Sequence, residues 1–338
     1  MSSVRAVPET TDMHGGDLSA DDAWHTARRV GLLALLQGSF LRFRYGDGFS
    51  HARAFALQLA LATVPLIIAG SGLASVIGAE SVAQVVARTV VAVSPGTGDQ
   101  LLADVVDRGS APAGDDEDDP RSENLGELAV GFGLVTAFAA LTSAFAQLER
   151  GANRVYGVER DRPALRKYTR AAALTATAGV ALGVGLVLIV AGGPFGDAIE
   201  EVYRWGDVTE TVWDVVRWPV GLAALVVAVT TLFRFAPRRH QPGLSWLGLG
   251  AGLTVAAWLV ASGAIALYVS VSGEFSATYG PLAGIMVLLL WAFATGVALL
   301  AGIAVSAQLE AVRGGVEDPL LLDADDDGVP DERAPVGG

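Results

Sequence analysis

Six long stretches of the chain pass with almost no Asp, Glu, Lys or Arg, and nothing else in the sequence constrains its fold so strongly. They lie at about 54–77, 128–148, 171–191, 219–235, 246–271 and 281–309. A helix needs about 20 apolar residues to cross a hydrocarbon core about 30 Å thick, and each stretch approaches or exceeds that length. In lipid the backbone amides must be paired within the segment itself, so helix is the form such runs take. The expected fold is therefore all-α: a polytopic bundle of six transmembrane helices, with the lipid bilayer as its first partner. Only 17% of the 338 residues are charged, against about 25% in ordinary soluble chains.

The charges that remain give an orientation. Segments 1–53, 149–170, 236–245 and 310–338, with Arg234 at a helix end, hold 18 of the 23 Lys and Arg residues. The intervening segments hold Arg88, Arg108, Arg121, Arg204 and Arg217. Basic loops stay in the cytoplasm, so both termini are expected inside, in a plasma (inner) membrane. Segment 149–170 is the most basic, with Arg150, Arg154, Arg160, Arg162, Arg166, Lys167 and Arg170.

Around the spans, residues 1–20 read as a disordered tail and 314–338 as an acidic one, which leaves 21–313 as the membrane domain. A helix over 21–45, capped by Ser19 or Asp21 and flanked by Arg28, Arg29, Arg42 and Arg44, reads as amphipathic and interfacial. Segment 78–127 carries an amphipathic stretch (Val82, Val85, Val86, Val90) and the acidic run 115–119. Segment 197–217, with Trp205 and Trp213, reads as an interfacial helix with an aromatic belt. The N-terminus lacks the apolar core of a cleaved export signal.

Composition excludes several chemistries. There is no Cys, hence no thiol nucleophile, disulfide or Cys-held metal. The net charge is −13, and Lys167 is the one lysine. Dense carboxylates with scarce Lys suit a surface kept hydrated in concentrated salt, the mark of a salt-loving organism, and argue against nucleic acid as a partner. The four histidines, at 14, 25, 51 and 240, form no His-x-His pair, and no phosphate-binding Gly-x-x-x-x-Gly-Lys motif occurs. The expectation is a non-enzymatic chain with no cofactor and no metal. One C-terminal run, Asp323-x-Asp325-x-Asp327-Gly328-x-x-Asp331, has the alternating carboxylates of a calcium loop but lacks its closing Glu. A solvated acidic tail is the simpler reading.

Several stretches resemble the YihY/BrkB family. The segment from Leu141 through Gln147, Glu149, Asn153 and Tyr156 to Val158 is similar to that family's hallmark, as are Trp246, Gly248, Gly250 and Ala251 with Trp258, Tyr268, Tyr279, Gly280 and Leu289-Leu290-Trp291. Arg53-Ala54 and Thr63-Val64-Pro65-Leu66 resemble its opening helix. The likeness, from about residue 40 to 313, implies a six-helix inner-membrane protein of unsettled activity, often labelled ribonuclease BN. The chain departs from the family at Gly302-Ile303-Ala304-Val305-Ser306, where a Gly-Ala-Glu-Leu-Asn pattern is usual.

Polar groups inside lipid are costly and tend to face a cavity. The candidate cavity or motif residues are accordingly Gln58, Pro65, Ser143, Gln147, Asn153, Tyr156, Trp258, Ser262, Tyr279, Gly280 and Trp291. Gly-x-x-x-Gly spacings at Gly179/Gly183 and Gly248/Gly252 read as close helix contacts, with a homo-oligomer face as the sharper alternative. Three functions follow for testing. The first is transport or envelope integrity, with a hydrated cavity lined by Gln58, Ser143, Gln147 and Ser262. The second is a scaffold recruiting partners through 149–170, and the third, disfavoured, is the ribonuclease of the family label.

Overall fold

The computed structural model describes residues 7–10, 18–77, 120–158, 162–190, 207–271, 281–316 and 318–320. Among them there is no strand. The helices are α1 Ala20–Val30, α2 Leu32–Tyr45, α3 Gly48–Ile77, α4 Pro120–Val155, α5 Ala164–Leu174, α6 Val180–Val190, α7 Asp207–Phe235, α8 Leu244–Val271 and α9 Pro281–Arg313. A π-helical turn, Thr175–Gly179, joins α5 to α6. Six segments are long and apolar enough to span a bilayer: Gly48–Ala69, Val130–Val155, Ala164–Leu186, Thr211–Phe235, Leu244–Val271 and Leu282–Arg313. Tyr279, Gly280, the acidic run 115–119, most of segment 78–127 and the Asp323–331 motif lie outside the described residues.

Most helices overrun the apolar stretch that announces them, because backbone hydrogen bonding continues past the hydrocarbon boundary while apolarity does not. Helix α7 begins twelve residues before Pro219, which sits inside it. The single helix expected over 21–45 is two. Gly31 has φ +91°, a conformation that only glycine adopts without strain, and it separates α1 from α2. Ser19 caps α1: its hydroxyl accepts from the Asp22 amide at 3.3 Å while its own amide donates to the Asp22 carboxylate at 3.0 Å, a reciprocal capping box. Helix α2 lies against α9, so Arg42, expected among the flanking interfacial arginines, is wholly buried.

The six spans form a ring. Neighbours pack α3 to α4, α6 to α7, α7 to α8, α8 to α9 and α9 back to α3. Helix α4 meets α5 and the π turn, but has at most marginal contact with α6 among the described residues. Large apolar side chains stand exposed on the outside in stripes, such as Leu57, Leu61, Val64 and Ile68 along α3. In water so much contiguous apolar surface would drive association; in lipid it is the solvated face.

At one end the ring is drawn tight. Helices α8 and α9 cross at Gly250 and Gly302, where a Cβ on Gly302 would lie 1.7 Å from Thr254 Oγ1 and 2.9 Å from the Gly250 carbonyl. Of the Gly-x-x-x-Gly positions, Gly179 makes a close contact, a Cβ there lying 3.2 Å from the Phe145 ring, whereas a Cβ on Gly183, Gly248 or Gly252 would meet nothing within 4 Å; the α8–α9 approach is made by Gly250 and Gly302 instead. The π turn follows Thr175, whose hydroxyl donates back to the Ala171 carbonyl at 2.9 Å and lies 3.4 Å from that of Thr142 on α4. Past this point α6 follows α7 rather than α4.

Candidate functional site: an apolar cavity above a polar seal

All six spans contribute to one cavity of about 280 Å³. Its walls are aliphatic and aromatic: Leu59 of α3, Phe145 of α4, Leu182 and Leu186 of α6, Leu225 of α7 and Trp258 of α8 among them. The lining has four polar side chains, and each is already hydrogen-bonded within the protein. Trp258 Nε1 donates to Thr295 Oγ1 at 3.1 Å, Trp291 Nε1 to Ser262 Oγ at 3.1 Å, Thr295 Oγ1 to the Trp291 carbonyl at 2.9 Å and Thr254 Oγ1 to the Gly250 carbonyl at 3.0 Å. The two indoles meet edge to face, their centroids 6.2 Å apart, a favoured aromatic geometry. A cavity of this character offers water few partners.

The candidate residues separate accordingly. Trp258 and Trp291 line the cavity, and Ser262 fixes Trp291 from behind. Gln58, Ser143 and Gln147 are half-buried and are not among the lining residues. The Ser143 hydroxyl donates to the Ala139 carbonyl at 3.0 Å. Pro65 sits within α3, where its carbonyl would lie 3.1 Å from a Cβ on Gly133 of α4.

Asn153 and Tyr156 belong to a second cluster, at the end of the bundle where the described arginines concentrate. The Tyr156 hydroxyl donates to Glu310 Oε1 at 2.9 Å and lies 3.2 Å from Gln241 Oε1. Burial, and then the Glu310 charge, push the phenol pKa well above its ordinary value, so it stays a donor. Arg239 lies over the Tyr156 ring at 4.7 Å and reaches Glu310 Oε2 at 3.1 Å. Asn153 Oδ1 accepts from the Arg238 amide at 2.7 Å. The sequence gives no reason to single out Glu310 or Arg239; they find each other only when α9 meets the segment between α7 and α8.

An N-terminal segment closes this cluster over. The Thr10 amide donates to the Tyr156 carbonyl at 3.2 Å, Arg239 donates to Thr10 Oγ1, and Arg42 donates to the Pro8 carbonyl at 3.3 Å and to Gln308 Oε1 at 2.6 Å. Gly157, at φ +77°, lets the strand of chain pass: a Cβ there would lie 2.6 Å from the Pro8 carbonyl carbon. Arg162 pairs with buried Glu149 and donates to the Ala236 and Pro237 carbonyls at 3.1 and 2.9 Å, while Arg170 donates to that of Phe235 at 2.8 Å. Two arginines of the basic segment thus cap the C-terminal end of α7, whose last carbonyls have no helical partner. Among the described residues, no three His, Asp or Glu side chains converge so as to hold a metal.

Six helices long and apolar enough to cross a bilayer, with apolar stripes on their outer faces, define a multi-pass helical membrane protein. A family model, Virulence factor BrkB, matches residues 39–326. The chain belongs to the BrkB family. A curated relative, the ribonuclease-like protein YfkH of Bacillus subtilis (strain 168), is 28% identical over 178 residues, covering 53% of this chain and 64% of that protein. No solved structure matches.

Proposed function

We propose that this chain is a non-enzymatic carrier of amphipathic molecules in the plasma membrane, with both termini in the cytoplasm. The observation that carries the reading is the cavity. Every span lines it, α4 and α6 have at most marginal contact among the described residues, and its basic end is plugged by buried ion pairs. That arrangement suits a molecule that meets the protein from within the bilayer better than one that crosses from water to water. The cavity is apolar where the sequence led us to expect a hydrated one, so an amphipathic solute is favoured over a small ion. A scaffold role for 149–170 has less support, since Arg162 and Arg170 are engaged in capping α7 and Lys167 is buried. The ribonuclease wording attached to YfkH describes that protein, and the histidines here are scattered along the sequence.

Reconstituted vesicles test the carrier reading. A fluorescent amphiphile placed symmetrically in both leaflets, then bleached from outside by an impermeant reductant, should lose signal beyond the outer-leaflet half when folded protein is present. Bleaching that stops at the outer leaflet, with folded protein verified in the same vesicles, would exclude it.

A further inference from the structure

We infer that the cavity is a binding site for one acyl chain of a bilayer phospholipid, admitted sideways between α4 and α6 with its headgroup left outside. The inference takes its location from the proposed function, but it concerns what occupies the site, not whether anything is moved.

Three observations converge on a hydrocarbon chain. The lining side chains offer no unused hydrogen-bond donor, because the Trp258 and Trp291 indoles and the Thr254 and Thr295 hydroxyls all donate within the protein. A ligand that buried an acceptor oxygen among them would leave it unpaired, at a cost a plain hydrocarbon does not carry. The walls run to Leu182, Gly183 and Leu186 on α6, the helix that leaves α4 beyond the π turn. Gly183 is exposed, and a Cβ there would stand in open space. The medium beside that gap is acyl chain, since the outer faces of the same helices expose Val180, Val184 and Phe138. Left unfilled, a cavity of about 280 Å³ would forfeit the dispersion contacts its walls could make. The neighbouring lipid supplies a flexible chain of matching chemistry at very high local concentration.

Gly183 provides a clean probe, because its side-chain direction is open. Gly183→Leu places an isobutyl group at the entrance without meeting an existing atom at its Cβ. Val184→Leu, on a residue outside the lining, is the matched control. The protein is placed in nanodiscs of phosphatidylcholine containing a phosphatidylcholine with a diazirine near the end of one acyl chain, then illuminated, and adducts are mapped by peptide mass spectrometry. Adducts are expected on the interior residues Phe145, Leu182, Leu225 and Trp258. They should fall about tenfold relative to total labelling in Gly183→Leu and persist in Val184→Leu. The same lipid carrying its diazirine on the headgroup should leave these residues unlabelled. The inference is overturned if chain-end labelling is confined to outward residues such as Val180 and Val184, if the headgroup probe labels the interior equally, or if Gly183→Leu, with unchanged melting, labels like the native chain. Interior labelling without amphiphile movement would sink the carrier reading and leave the site standing. Movement without interior labelling would do the reverse.

Discussion

Glu310 and Arg239 meet at 3.1 Å with almost none of either side chain exposed. Removing one partner of such a pair leaves a buried charge uncompensated, typically at about 3–5 kcal/mol. Glu310→Ala should therefore lower stability by roughly that amount, read as a large drop in melting temperature in detergent. The double variant Glu310→Met with Arg239→Met should recover much of the loss. Tyr156→Phe removes a hydrogen bond to the same carboxylate and should cost less, about 1.5–3 kcal/mol. At the other end of the chain, Asp22 is held below the ordinary carboxylate range, first by the Ser19 amide and then by the Ser19 hydroxyl. A depressed carboxylate stabilises the fold above its unfolded pKa, and the contribution disappears as pH falls through the folded value. Hydrogen-exchange protection across α1, taken relative to the intrinsic rate, should fall below about pH 4, and Asp22→Asn should abolish that dependence while lowering protection at neutral pH.

At the scale of the helix, the crossing of α8 and α9 is set by two glycines at which the backbones themselves touch. Gly302→Ala would force its methyl against Thr254 Oγ1 and the Gly250 carbonyl, the latter being backbone that cannot swing aside. Overpacking of this kind costs about 1–3 kcal/mol, so the variant should melt earlier and label less well in the cavity above it. Gly248→Ala, facing open space, should be close to neutral and serves as the comparison. The π turn matters in a different way. It widens the helix for one turn at Thr175–Gly179, brings Thr175 against Thr142, and sends α6 along α7. Such bulges concentrate at functional sites, and here the bulge lies where α4 and α6 part among the described residues.

For the whole molecule, the absence of cysteine makes orientation directly measurable. A single cysteine at Gly315, beyond α9, should react with an impermeant thiol reagent only from the cytoplasmic face, and one at Val271, ending α8, only from the opposite face. Reaction of both from the same side would overturn the six-span count. That count was legible in the sequence because hydrocarbon imposes one local rule, unbroken apolarity over the length of a helix, and the rule reads residue by residue. Trp258 and Trp291 were likewise legible as notable positions. Their role was not, since an indole at a helix face looks the same whether it meets lipid, a neighbour or a void. Glu310, Arg239 and Gly302 carry no local signal at all; their importance lies in what faces them across the fold, Arg239 and Glu310 meeting at 3.1 Å from 71 residues apart in the chain and Gly302 lying against Gly250 and Thr254. The sequence alone determined that the chain lies in a membrane and how many times it crosses, because burial in lipid depends on composition along the helix. Only the tertiary structure decided which polar groups satisfy one another, where the described helices part and that the cavity between them is lined by apolar side chains, because those depend on which helix faces meet.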